Sequence, residues 1–209
     1  MCSYVLLIAG SIWMVMLAKG TMVLWFNAHY STFWNIFFSY ATYLGDGLVI
    51  AIFALIMLGF RYDWFGMVAS MGLLQLIVIQ GLKKFVFGPV ERPAAFFENA
   101  MPPLNFVEGV DIHKLFAIPS GHTASAFSIA FILVLIFRPG KIATVGIFLA
   151  ACLIGGSRIY LAQHFLVDTL IGAVLGMGIA FIAFWTFEYL RLKNPEVAFF
   201  NKSLRSLKR

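Results

Sequence analysis

The chain has 209 residues, of which 62% are hydrophobic and 11% charged, with a mean hydropathy of +0.93, against roughly 45–50% apolar usage in soluble domains. That balance excludes an ordinary water-soluble domain and fits one membrane domain of residues 1–209. The formal net charge of +6 does not indicate a nucleic-acid partner, because Lys and Arg sit between and beside apolar segments, as membrane topology requires.

A hydrocarbon core needs about 20 apolar residues per helix. Segments that meet this, allowing for snorkelling ends, run from Tyr4 to Phe26, Leu44 to Phe60, Trp64 to Phe87, Ser120 to Phe137, Ile142 to Leu161 and Phe165 to Phe187. The expected fold is therefore all-α, a polytopic bundle of six transmembrane helices. The N-terminal MCSYVLLIAG lacks the basic start and small-residue cleavage site of a removable signal peptide, so the first helix is expected to be retained. Between the first two spans, WNIFFSYATYLG reads as an aromatic interfacial stretch. Cys2 and Cys152 have no metal-type spacing and read as inert.

Six spans put both termini on one side. Short connections around Arg61 and around Arg138 and Lys141 are basic or mixed, and the tail 191–209 carries six Lys or Arg against Glu196. The longest connection, about Gly88 to Pro119, holds five of the seven prolines, and its Glu91, Glu98, Glu108 and Asp111 outnumber Arg92 and Lys114. The positive-inside tendency then places both termini in the cytoplasm and the long loop outside. Gly172 and Gly176 form a GxxxG pair suited to close helix packing, and Gln75 and Gln80 are expected to make interhelical hydrogen bonds.

Charges near a span are costly unless paired, hydrated or used. Three clusters stand out: KKFVFGPVERP at the end of the third span, PSGH (Pro119 to His122) opening the fourth, and SRIYLAQHFLVD (Ser157 to Asp168) joining the fifth to the sixth. In a six-helix bundle all three fall on the same face. Together they offer cations from Lys84, Arg92 and Arg158, the hydroxyl of Ser120, and backbone N–H groups near Gly121 at a helix N-terminus. Those are phosphate-binding groups. His164 and Asp168, four residues apart on one helix face, form a pair in which the carboxylate orients one ring nitrogen and leaves the other to attack. His122 is then available as acid or base.

These residues resemble the type 2 phosphatidic-acid phosphatase superfamily, whose pattern is Lys-x6-Arg-Pro, Pro-Ser-Gly-His and Ser-Arg-x5-His-x3-Asp. The second and third motifs are met without deviation, and the motif core spans about 83–168. The first departs: seven residues separate Lys84 from Arg92 and eight separate Lys83. Lys84 needs the least slack, which the Gly88-Pro89 break is expected to supply, so it is the expected ligand and Lys83 a headgroup anchor.

The resemblance implies that His164 attacks phosphorus to give a phosphohistidine, Asp168 orients it and His122 protonates the leaving group. Lys84, Arg92, Ser120, Gly121 and Arg158 would hold the phosphoryl oxygens, with no metal or other cofactor. A metal site on His122, His164 and Asp168 is disfavoured, because the surrounding cations would repel a divalent ion. The implied substrate is a lipid phosphate, either monoester or diphosphate: phosphatidic acid, phosphatidylglycerol phosphate, undecaprenyl diphosphate or the phosphates of lipid A. No obligatory protein partner is implied. By the same resemblance the protein belongs in a bacterial inner membrane, with the site facing the periplasm or exterior. A lipid-to-lipid phosphotransferase is an alternative, since a phosphohistidine can pass its phosphate to an alcohol. A lipid or anion transporter is disfavoured, because transporters usually bind near the midplane, whereas these charges gather at one boundary. His29 and His113 lie outside every motif and read as loop residues, and FENAMPPLNFVEGVDIHKLF is expected to line the entrance.

Overall fold

The computed structural model describes residues 19–197, 199 and 202. Among these, all regular structure is helical. In chain order it comprises α1 (Thr21–Ala28), α2 (Thr32–Ala41) running into a 3-10 turn (Thr42–Gly45), α3 (Gly47–Leu58), α4 (Tyr62–Gly81) running into a π turn (Leu82–Phe87), the short α5 (Pro93–Phe96), α6 (Gly121–Phe137), α7 (Lys141–Tyr160) and α8 (Leu166–Lys193).

Three of these helices are long and apolar enough to cross a membrane: α4 with its π turn (Tyr62–Phe87), α7 and α8. A fourth span exists if α2 and α3 count as one, bent by 56° at their junction. Alone, the 12 residues of α3 reach only about 18 Å at 1.5 Å per residue. The span expected from Leu44 to Phe60 is therefore shorter than read. The aromatic stretch before it is a helix whose Phe33, Trp34, Phe37 and Tyr40 are exposed, as suits an interface. Most of the first expected span, Tyr4 to Ala18, lies outside the described residues. Its remainder is not continuous, because a turn at Lys19 and Gly20 (φ +94°) precedes α1. Gly20 also sits so close on Phe97 that a side chain there would collide with the ring.

Helices α6 and α8 form the central pair, with α7 beside α6 and α4 beside α8. Lipid tails are as apolar as Leu, so hydrophobicity alone does not bring helices together in a bilayer, and close backbone approach does more. Gly172 and Gly176 provide it: a Cβ on either would strike the carbonyl oxygen of Ser120 or Ala124 on α6. The GxxxG pair thus seats the start of α8 against the PSGH segment. Polar contacts reinforce the packing. Gln75 on α4 donates from Nε2 to Ser125 Oγ (2.9 Å) and accepts at Oε1 from Ser128 Oγ (2.9 Å) on α6, bonds typically worth about 1 kcal/mol each within a membrane. Gln80 lines two cavities. Met67, Val68 and Met71 of α4 fill the core against Ile132 of α6 and Ala180 of α8, while Ile77, Val174 and Ile182 are exposed on the outside of the bundle, as lipid-facing residues would be.

Candidate active site

The three charged clusters meet at one end of the central pair. Ser120 caps α6, its Oγ accepting from Thr123 N–H (3.4 Å) and lying 2.9 Å from Thr123 Oγ1. A serine in this position satisfies an orphan donor and leaves the N–H groups at Gly121 and His122 directed out of the helix end. Ser120 N–H donates to the backbone oxygen of Asp168 (3.0 Å), tying the PSGH segment to the first turn of α8.

His164 lies just before α8, in the turn that links it to α7. This turn folds back on Arg158, whose carbonyl accepts from the N–H groups of both Gln163 (2.9 Å) and His164 (3.1 Å), and it passes through Ala162 at φ +53°. The pairing of His164 with Asp168 is therefore made across the start of the helix rather than along one of its faces. Asp168 Oδ2 accepts from Phe165 N–H (2.8 Å) and lies 3.3 Å from His164 Nδ1. Both side chains are almost fully buried. Burial, followed by the charges of Arg92, Arg158, Lys83 and His122, pushes the His164 imidazole well below the ordinary range. Both effects favour the neutral imidazole.

Arg92 is held by backbone carbonyls. Its Nε donates to Leu115 O (2.8 Å), Nη2 to Phe116 O (3.4 Å) and Nη1 to both Gln163 O and Gln163 Oε1 (3.4 and 3.3 Å). Pro93 opens α5 and keeps Arg92 extended at φ −87°, ψ 168°. Burial lowers the Arg92 pKa, and the Asp168 charge offsets part of that effect. Arg158 donates from Nη1 to Thr42 Oγ1 (2.6 Å), while its Nε is buried without an acceptor among the described residues, a donor available to an oxyanion.

The first motif differs most from expectation. From Lys83 the spacing holds two extra residues, and the helix ends in a π turn at Leu82–Phe87, which packs more residues into a turn than an α-helix does, followed by the break at Gly88 (φ +68°). The winding leaves Lys84 exposed and Lys83 half-buried. Lys83 is close enough for its charge to act on His122, His164 and Asp168, and it feels the charges of Arg92 and Arg158. The inward lysine is thus not the one that spacing favoured.

Several participants have no motif signal. Gln163 is buried and joins Arg92 to the loop, donating from Nε2 to Asp111 O (2.9 Å). His113, read as a loop residue, lines a cleft of about 240 Å3 with Lys83, Lys84 and Arg92. A second cavity of about 680 Å3, mostly apolar, runs between α3 and α4 to His122. Among the described residues, no cluster of His, Cys, Asp or Glu has the geometry of a metal site.

The chain is similar to the crystal structure of Aquifex aeolicus LpxE, with 28% identity and a TM-score of 0.66 over 78% of this chain and 92% of that one. It shares its fold with the transmembrane PAP2-type phosphatidylglycerolphosphate phosphatase of Bacillus subtilis, at 23% identity and a TM-score of 0.63 over 81% of this chain and 84% of that one. No curated protein matches the sequence significantly. Residues 63–192, well over half of the chain and inclusive of all three motifs, match the sequence profile of the PAP2 superfamily, and the chain belongs to that superfamily as a membrane phosphatase.

Proposed function

We propose that the protein hydrolyses a phosphomonoester or diphosphate of a lipid through a phosphohistidine. The observation that carries this reading is a buried His164, 3.3 Å from Asp168 and set among the charges of Lys83, Arg92 and Arg158. His164 Nε2 attacks phosphorus while the bond to the leaving oxygen breaks and His122 gives that oxygen a proton. Water then attacks the phosphohistidine, His122 takes a proton from it, and the P–N bond breaks to release inorganic phosphate. Lys83, Arg92, Arg158, Ser120 and the Gly121 N–H hold the equatorial oxygens, which carry most charge in the transition state. The apolar cavity reaching His122 has room for an acyl or prenyl chain, which supports a lipid as substrate.

Phosphate release by purified protein in detergent or nanodiscs, from phosphatidic acid, phosphatidylglycerol phosphate, undecaprenyl diphosphate and lipid A phosphates, tests the reading. Activity is expected on at least one of these, inhibited by vanadate and unaffected by EDTA. Loss with EDTA and recovery with a divalent ion would instead establish metal-dependent chemistry.

We further propose six spans in a bacterial cytoplasmic membrane, with cytoplasmic termini and the site outside. Arg61, Arg138 and Arg191 gather around one cavity lined by the start of α4 and the ends of α6 and α8, away from the catalytic residues, which accords with the positive-inside tendency. Single cysteines at Glu98 and Lys202, in a background lacking Cys2 and Cys152, should differ in intact cells: an impermeant reagent should label position 98 and spare 202. Labelling of 202 alone would invert the topology.

A further inference from the structure

The end of the bundle away from the catalytic residues carries a further cavity, of about 340 Å3, lined by Arg61 and Trp64 at the start of α4, Arg138 at the end of α6, and Glu188 and Arg191 near the end of α8. Ser120 and Arg138 cap the two ends of α6, so its 17 residues put about 25 Å between this cavity and the candidate active site. Two of the three arginines are fixed by carboxylates. Arg61 donates from Nε and Nη2 to the two oxygens of the buried Asp63 (2.9 and 2.7 Å), and its guanidinium lies 5.4 Å from the centroid of the Trp64 ring. Arg191 donates from Nη2 to Glu188 Oε2 (2.6 Å). The side chain of Arg138 has no such partner among the described residues. Arg138 also stands in the left-handed region (φ +46°, ψ +54°), where glycine is the usual helix terminator, so ending the helix does not account for an arginine there.

Three guanidinium groups against two carboxylates leave one positive charge, which a single anionic group would balance. Beside the charges the wall is aromatic. Trp64 packs edge-on against Phe137 (5.4 Å between ring centroids) and lies 6.3 Å from Phe60, and both phenylalanines are exposed. The cavity is near the lower end of the roughly 300–1,000 Å3 range of small-ligand sites, room for a head group but not for acyl chains. A basic pocket with exposed aromatic rings beside it matches a phospholipid whose phosphate meets the guanidinium groups and whose chains lie along the rings. A zwitterionic lipid would bring a cation of its own to a cavity already in excess of positive charge. We propose that this cavity binds the head group of one anionic phospholipid, such as phosphatidylglycerol, in the leaflet opposite the candidate active site.

The competing account is diffuse attraction between a basic membrane face and anionic lipid, with no site. Native mass spectrometry of the purified protein in detergent separates the two, with dioleoylphosphatidylglycerol or dioleoylphosphatidylcholine added and vanadate present to occupy the catalytic cations. One phosphatidylglycerol should bind saturably and roughly ten-fold more tightly than phosphatidylcholine. Arg138→Gly and Arg191→Gln should each weaken it about five-fold, the effect of one cation near a lipid head group. Glycine suits the left-handed cap, so Arg138→Gly should unfold at no lower temperature than wild type in phosphatidylcholine, which separates loss of lipid from loss of fold. Lys141→Gln removes a charge three residues beyond Arg138 and outside the cavity, and should leave the affinity unchanged. Binding no tighter than that of phosphatidylcholine, equal losses in Lys141→Gln and the two arginine variants, or uptake of several lipids without saturation would overturn the proposal. Inorganic phosphate at millimolar concentration should not displace the bound lipid. Displacement would make the cavity a site for the free anion and reject the lipid as its occupant. Each outcome reads binding and not turnover, so it stands whether or not the protein releases phosphate from any substrate.

Discussion

His164→Ala is expected to be nearly inactive on a lipid phosphate and on an activated aryl phosphate alike, because it removes the atom that forms the bond to phosphorus. No improvement in the leaving group replaces a missing nucleophile. The buried cations remain in that variant and should still bind phosphate or vanadate, so the defect falls on turnover rather than on oxyanion affinity. His122→Ala should behave differently. It leaves the nucleophile in place and removes the proton that an alkoxide needs, a loss on the order of 10²–10⁴ with a natural monoester. Much of that loss should disappear with the aryl substrate. Rates on both substrates, with rapid quenching of wild type, check the assignment: the quenched protein should carry a phosphoryl group that is acid-labile and base-stable. Rescue of His164→Ala by the aryl substrate, with His122→Ala left dead, would exchange the two roles. Equal rescue of both would argue against covalent catalysis by either.

The residues that meet at this site were legible from sequence where their spacing alone imposes proximity. Ser120, Gly121 and His122 are contiguous, and His164 and Asp168 are close enough in sequence to meet under either a helical or a capped-turn geometry. The contact survived even though His164 precedes α8 instead of belonging to it. The GxxxG pair was legible for the same reason, since its two glycines share a helix face whatever they pack against. What escaped is long-range. Thr42 and Arg158 are 116 residues apart, and Gln163 reaches Arg92 across 71, and no local pattern announces such partners. The second span, Leu44 to Phe60, was read too long because hydropathy records apolar length and not direction. The stretch from Thr32 to Leu58 is apolar enough to cross, yet the junction at Asp46 turns it by 56°. That bend also brings Gly45 against the backbone of His122, so the feature least visible in the hydropathy pattern lies next to the candidate site.

The lysine of the first motif shows how local winding overrides spacing. Counting residues back from Arg92 favours Lys84, since it lies nearer the family distance, and that reasoning assumes the helix ends with ordinary α geometry. The π turn at Leu82–Phe87 changes the angle at which successive side chains leave the axis, so that Lys83 faces Arg92, Arg158 and the His164–Asp168 pair while Lys84 is exposed. Lys83→Ala should therefore lose on the order of 10²–10³ in kcat, comparable to removal of one preorganised oxyanion donor. Lys84→Ala should stay within a few-fold of wild type, the effect expected for an exposed cation at the cleft rim. Lys83→Arg is a stricter test. A guanidinium keeps the charge but is larger and planar, so it should recover only part of the rate if the ammonium binds phosphate in a confined position. Turnover measured for the three variants on one substrate decides the matter: a large loss for Lys84→Ala with near-normal Lys83→Ala would show that the catalytic register is the one that spacing favours, and that the helix end rewinds when phosphate binds.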